Sequence, residues 1–277
     1  MVANSNRNPH NDLHNACIEG DVEAVKSLLF FNKEIDSFCE HKKCKQHTPF
    51  ILACCHGHVE IVKILLGRNI DVNHRDTDGK TGLYFACIKE HLEIVKLLLE
   101  DVRIDLSILY VDENTGFNFP LFNIMCKKGK ASVVKILSED ERIDIDYEND
   151  HNITPFVKSF MSGKYEIAKI LIDCRRFNPD KNYYVFSCTL NNDKLKILKY
   201  IVDKNIFDIN HRNYHGHSAI DIAVLRADYG QIKVLLSSRQ SVDLSKILRI
   251  SPKRINKLLN SYKEDPKRTS ELLRADQ

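Results

Sequence analysis

The chain has almost no excess of charge of either sign: 41 lysines and arginines stand against 38 aspartates and glutamates, a formal net charge of +3. So close a balance gives no bulk field for gathering a polyanion or a membrane surface, so neither nucleic acid nor membrane is expected as a partner. Long apolar runs are missing too, and no window approaches the roughly 18 apolar residues of a spanning helix. The opening Met-Val-Ala-Asn-Ser-Asn-Arg-Asn-Pro-His is polar and lacks the apolar centre of a secretory signal. The expectation is a soluble protein of the cytoplasm or nucleus. Nine cysteines are an odd count, and Cys17, Cys54 and Cys87 each follow an alanine at one helical register, which favours buried reduced thiols over disulfides. There is no Gly-rich phosphate loop and no kinase or hydrolase signature. An adjacent pair such as Cys55 and His56 would point about a hundred degrees apart on a helix and could not share a proton. No catalysis and no cofactor are expected.

What is there is repetition. Residues 47–73 read as helix, turn, helix and extended exit. Thr48 is placed to cap a helix that Pro49 opens, since proline's missing N–H and fixed φ suit the first helical position. Ala53 and Cys54 are small enough for a second helix to approach. Gly57 supplies a left-handed stop, and Asn69 is placed for another. Between them Val59, Ile61, Val62, Ile64, Leu65 and Leu66 make an apolar surface too wide for one partner, so neighbours are needed on both sides. The core of the second helix recurs with a lysine at one position: Lys26, Lys63, Lys96, Lys135, Lys169, Lys199 and Lys233. Their spacing of thirty to thirty-nine residues is that of a helix-pair repeat.

The units resemble ankyrin repeats, on Thr48-Pro49-Phe50 with Ala53-Cys54 and Gly57-His58; Asp78-Gly79-Lys80-Thr81-Gly82-Leu83 with Ala86-Cys87; Phe119-Pro120-Leu121 with Gly129; Thr154-Pro155-Phe156 with Gly163; and Gly216-His217-Ser218-Ala219 with Ala223. The resemblance implies an all-α solenoid: a tail at 1–8, about seven repeats over 9–240 and a helical C-terminal cap at 241–277. Several departures are visible. Unit four shows an extra residue near Ala131 and a long approach from Leu106 to Asn118. Unit six lacks the Thr-Pro opening and the glycine stop. The family histidine that bonds the capping threonine is replaced by Ile51, Tyr84, Phe122 and Val157. Ser251-Pro252 opens one tail helix with Ile255, Leu258 and Leu259 on one face, and Asp265-Pro266 opens another with Leu272 and Leu273 as its apolar residues.

Function is expected from what does not recur. The family binds partners with hairpin tips and the outer positions of the first helices. Carried onto this chain, unit two offers Lys45, His47 and His56; unit three Thr77, Asp78, Lys80 and Lys89; unit five His151; and unit seven Tyr214, His217 and Arg226. Mixed aromatic, histidine and arginine side chains suit a protein or peptide ligand better than a phosphate backbone, and a monomer is expected. Two alternatives are a nucleic-acid-associated protein using Lys135, Lys199, Lys233 and the basic tail, and a structural spacer. Glu23, Glu60, Glu93 and Glu166 lie three residues before their ladder lysines and are placed to pair with them. Cys39, His41, Cys44 and His47 carry zinc-type donors, but four ligands within nine residues do not make two separated ligand pairs, and no metal is expected.

Overall fold

The computed structural model of the protein describes residues 9–31, 46–112, 116–148, 153–183, 185, 192–213, 215–245 and 253–275. Two units divide between Asp144 and Ile145. In the first, α1 (Pro9–Glu19), α3 (Pro49–His56), α5 (Gly82–Lys89) and α7 (Leu121–Lys128) form an inner row. The outer row is α2 (Val22–Phe31), α4 (Val59–Leu66), α6 (Leu92–Glu100) and α8 (Ala131–Glu139), each helix packing on the next in its row. The second unit holds α9 (Pro155–Met161), α10 (Tyr165–Asp173), α11 (Asn192–Lys204), α12 (Ala219–Leu225), α13 (Tyr229–Leu236), α14 (Lys253–Glu264) and α15 (Pro266–Ala275). Among the described residues no helix is long and apolar enough to cross a membrane.

The caps form as the sequence dictates. Thr48, Thr81 and Thr154 hold extended backbone and accept the amide three residues on, from Ile51, Tyr84 and Val157. Gly57 closes α3 in the left-handed conformation with φ 83° and donates to Ala53 O. On α4, Ile61, Val62 and Leu65 are fully buried while Val59, Ile64 and Leu66 are half-buried, as expected of a helix flanked on both sides. Asn69, in contrast, does not provide a left-handed stop: α4 ends at Gly67 with φ −70°, and Asn69 is not among the residues of positive φ.

Repeat four needs a correction of register. The left-handed residues Gly20, Gly57, Glu90 and Gly129 each stand six positions before a ladder lysine, so there is no extra residue at Ala131. The slip lies upstream, where Pro120 takes the capping position that Thr48 holds and has no hydroxyl to offer. Asn123, rather than Phe122, therefore occupies the family histidine's position, and its Oδ1 is buried without a hydrogen-bond partner. The same alignment adds Cys126 to the register of Cys17, Cys54 and Cys87. All four are buried free thiols, and burial pushes Cys17 up to about 12 and the other three further above the ordinary thiol range. Alkylation of the native protein at pH 8 should therefore modify Cys55 and Cys174, which are half-buried, before any of those four. Peptide mapping after a timed iodoacetamide pulse checks the order.

The long approach to repeat four is a two-stranded antiparallel hairpin, β1 (Leu109–Val111) paired with β2 (Asn118–Pro120), with Tyr110 opposite Phe119. Alternation puts Tyr110 inside and leaves Leu109 and Val111 exposed. The buried hydroxyl of Tyr110 lies 2.9 Å from Thr81 Oγ1, and in the second unit Thr154 donates to Asn182. A residue of the following inter-repeat segment thus supplies the contact to the capping threonine that the missing histidine would have made.

Neighbouring repeats are also joined through the backbone. Asn73 donates to Arg103 O at 2.7 Å and accepts from Asp105 N at 2.9 Å, and Asn210 makes the same pair of bonds to Ser241 O and Asp243 N. Arg103 and Arg142, each clamped by an aspartate two residues earlier, donate to Leu66 O and Leu99 O at the ends of the preceding outer helices. A guanidinium suits such a helix terminus, which gathers unsatisfied carbonyls and the negative end of the dipole.

In the second unit Phe156, Phe160, Phe177 and Phe207 form a ring cluster. The two tail helices pack on the last repeat: Ser270 Oγ donates to Leu236 O at 2.7 Å, the Tyr262 hydroxyl accepts from Val242 N at 3.0 Å, and Arg254 lies over the Tyr229 ring. Ile255, Leu259 and Leu273 are buried there, but Leu272, expected on the apolar face, is exposed.

Candidate functional site

Hairpin tips and the ends of the inner helices carry the candidate side chains, and the tips are built by carboxyl and amide groups that accept backbone amides. Asp76 is only 5% exposed. Its Oδ1 accepts the amides of Asp78 and Lys80 at 2.9 and 2.8 Å, and its Oδ2 lies 3.1 Å from His47 Nε2. This holds Thr77 and Asp78 out in solvent. Lys80 lies over the Tyr84 ring, 5.4 Å from its centroid, with Asp78 3.9 Å from its ammonium. Asn213 organises the last tip in the same way, accepting the amides of His215 and His217 at 3.0 Å.

His47 is tied into the scaffold: besides its bond to Asp76, its ring meets Phe85 edge-on at 5.2 Å. His56 and Lys89 are exposed at the ends of the adjacent helices α3 and α5. His217 is half-buried and Arg226 exposed, both in the second unit. Lys45, His151 and Tyr214 lie outside the described residues, as do Cys39, His41 and Cys44 of the metal candidate.

Partial burial, then repulsion from His58, Lys89, His91 and His47, holds His56 below the ordinary imidazole range. The unfolded chain therefore takes up this proton first as pH falls, and the stability difference is lost below about pH 6.5, where the unfolded state binds more protons. His56→Gln should accordingly narrow the drop in melting temperature between pH 7.5 and 5.5. Thermal unfolding followed by circular dichroism at the two pH values reads this directly.

The lysine ladder behaves differently from an internal pairing scheme. Lys26 does pair with Glu23 at 2.9 Å, but Lys63 reaches forward to Glu93 of the next repeat at 3.8 Å, and Lys169 lies over the Tyr200 ring. Exposed pairs of this kind contribute little to stability. Periodicity could not single out Ile18, Leu109, Val111 and Phe117, which are exposed apolar side chains. The short alternation Leu109-Tyr110-Val111 is the signal that would have indicated the hairpin.

Rows of paired helices, each repeat contacting its neighbours, define an all-α repeat solenoid. Residues 13–110 match the family model of ankyrin repeats in three copies. Residues 13–110 are thus ankyrin repeats, and repeats of this family are generally protein–protein interaction modules.

Proposed function

We propose that the chain acts without catalysis, by binding a protein or peptide along the hairpin tips and inner-helix ends. The observation that supports this is the division of labour within each repeat. Residues that recur, such as Thr48 and Ala53, are buried in caps and helix contacts, and Gly57 closes its helix in the left-handed conformation. Those that vary, Thr77, Asp78, His56 and Lys89, stand in solvent on backbone already fixed by Asp76 and by the helix packing. A surface held in place before binding loses little conformational entropy on association.

Photocrosslinking tests the reading. A p-benzoylphenylalanine introduced at Ile88, on the inner row, should trap protein partners in cells, while the same group at Lys96, on the outer row, should trap few. Equal yields at the two positions, or none at the inner one, would overturn it.

A further inference from the structure

The end of each inner helix in the first unit places one exposed side chain just before the left-handed residue: Glu19, His56, Lys89 and Lys128. The residue preceding each is Ile18, Cys55, Ile88 and Lys127; the first three give a partly exposed apolar floor. Lys127 is held by Asp112 at 2.5 Å, and Lys130 by Glu90 at 2.7 Å. Lys89 and Lys128 make no such ion pair among the described residues.

We propose that Lys89 and Lys128 form a register of cations, continued by the His56 imidazole as a hydrogen-bond donor, for an extended acidic peptide carrying a carboxylate at every third residue. This rests on the protein-binding reading above and names the chemistry of the partner. The spacing argues for it. Packed helices stand about 8–10 Å apart, and a polyproline II strand rises about 3.1 Å per residue with three residues per turn. One face of such a strand therefore returns every ~9 Å, once for each repeat it crosses. Apolar residues between the carboxylates lie over Ile18, Cys55 and Ile88. Glu19 ends the row with the opposite sign and fixes the direction: the end of the peptide over α1 carries a neutral or basic residue. The charged neighbours that shift His56 are His58, Lys89, His91 and His47, all basic, so the ring stays neutral and offers an N–H rather than a charge to the carboxylate above it. A duplex presents a phosphate every ~3.4 Å along each strand, about three times too dense for this row.

The test is fluorescence anisotropy with the full chain and a fluorescein-labelled peptide of four Glu-Pro-Leu triplets. Three comparisons accompany it: a peptide of the same composition with its glutamates contiguous, a Lys-Pro-Leu counterpart, and a twelve-residue oligothymidylate. The triplet peptide should bind at least ~10-fold more tightly than each, and Lys89→Gln with Lys128→Gln should remove that preference while leaving the melting temperature unchanged. Equal binding of the contiguous peptide, tighter binding of the oligonucleotide, or insensitivity to the two substitutions would overturn the inference. Crosslinking at position 88 without a preference for the triplet peptide would overturn it and leave protein binding standing. The absence of both would overturn both.

Discussion

Phe156→Ala is expected to lower the unfolding free energy of the second unit by about 3–5 kcal/mol. The side chain is fully buried, and its ring centroid lies 5.0 Å from that of Phe177, 6.2 Å from Phe207 and 6.5 Å from Phe160. Deleting it removes the transfer free energy of an aromatic ring and leaves a void bounded by other rings, which cannot close without leaving their own contacts. Edge and tilted ring pairs add about 0.5–1.5 kcal/mol beyond area, so the upper part of the range is the better expectation. Phe156→Leu keeps most of the volume and should cost much less. Urea unfolding followed by far-ultraviolet circular dichroism measures both. A loss under about 1 kcal/mol for the alanine variant would show that this cluster is not the core of the unit.

The helix pairs, their caps and the thiol register could be read from the sequence because each rests on a local rule repeated along the chain. Thr48 and Gly57 act where their own backbone needs them, and any copy of the motif reports the same need. What could not be read depends on contacts between repeats. The capping threonines find Tyr110 and Asn182 some thirty residues away, and no spacing rule connects those residue types. Lys63 turns to the next repeat for the same reason: Glu93 is a neighbour in space only once the outer helices are stacked. The slip at Pro120 was hidden because proline fits both the capping position and the first helical position. Among the candidate residues, Thr77, Asp78, His56 and Lys89 stand in solvent, whereas His47 is committed to Asp76 and Phe85. A tip histidine looks the same in sequence whether it faces a partner or its own scaffold.

A variant that transplants one repeat junction onto another should show how these contacts are specified. At the first two junctions a glycine in the left-handed conformation faces a histidine of the next repeat. A Cβ on Gly20 would lie 2.6 Å from His58 Cε1, and one on Gly57 2.7 Å from His91 Cε1. Each ring is held there by a hydrogen bond to the preceding inner helix, His58 to Ile18 O and His91 to Cys55 O. At the third junction both members change: Glu90 takes the left-handed position with φ 60°, and Lys130 reaches its carboxylate at 2.7 Å. Glycine is thus required at position 57 as much for the ring beside it as for its φ. Gly57→Glu should cost about 2–3 kcal/mol, from roughly 1–2 kcal/mol of left-handed strain and about 1 kcal/mol for displacing His91 from its carbonyl. His91→Lys alone should cost about 1 kcal/mol, the bond to Cys55 O being lost. Combined, the two substitutions recreate the third junction and remove the clash, so the double variant should be about 1 kcal/mol more stable than the sum of the single losses. Urea unfolding of the four proteins closes the cycle, and strict additivity would show that the glycine answers to backbone conformation alone.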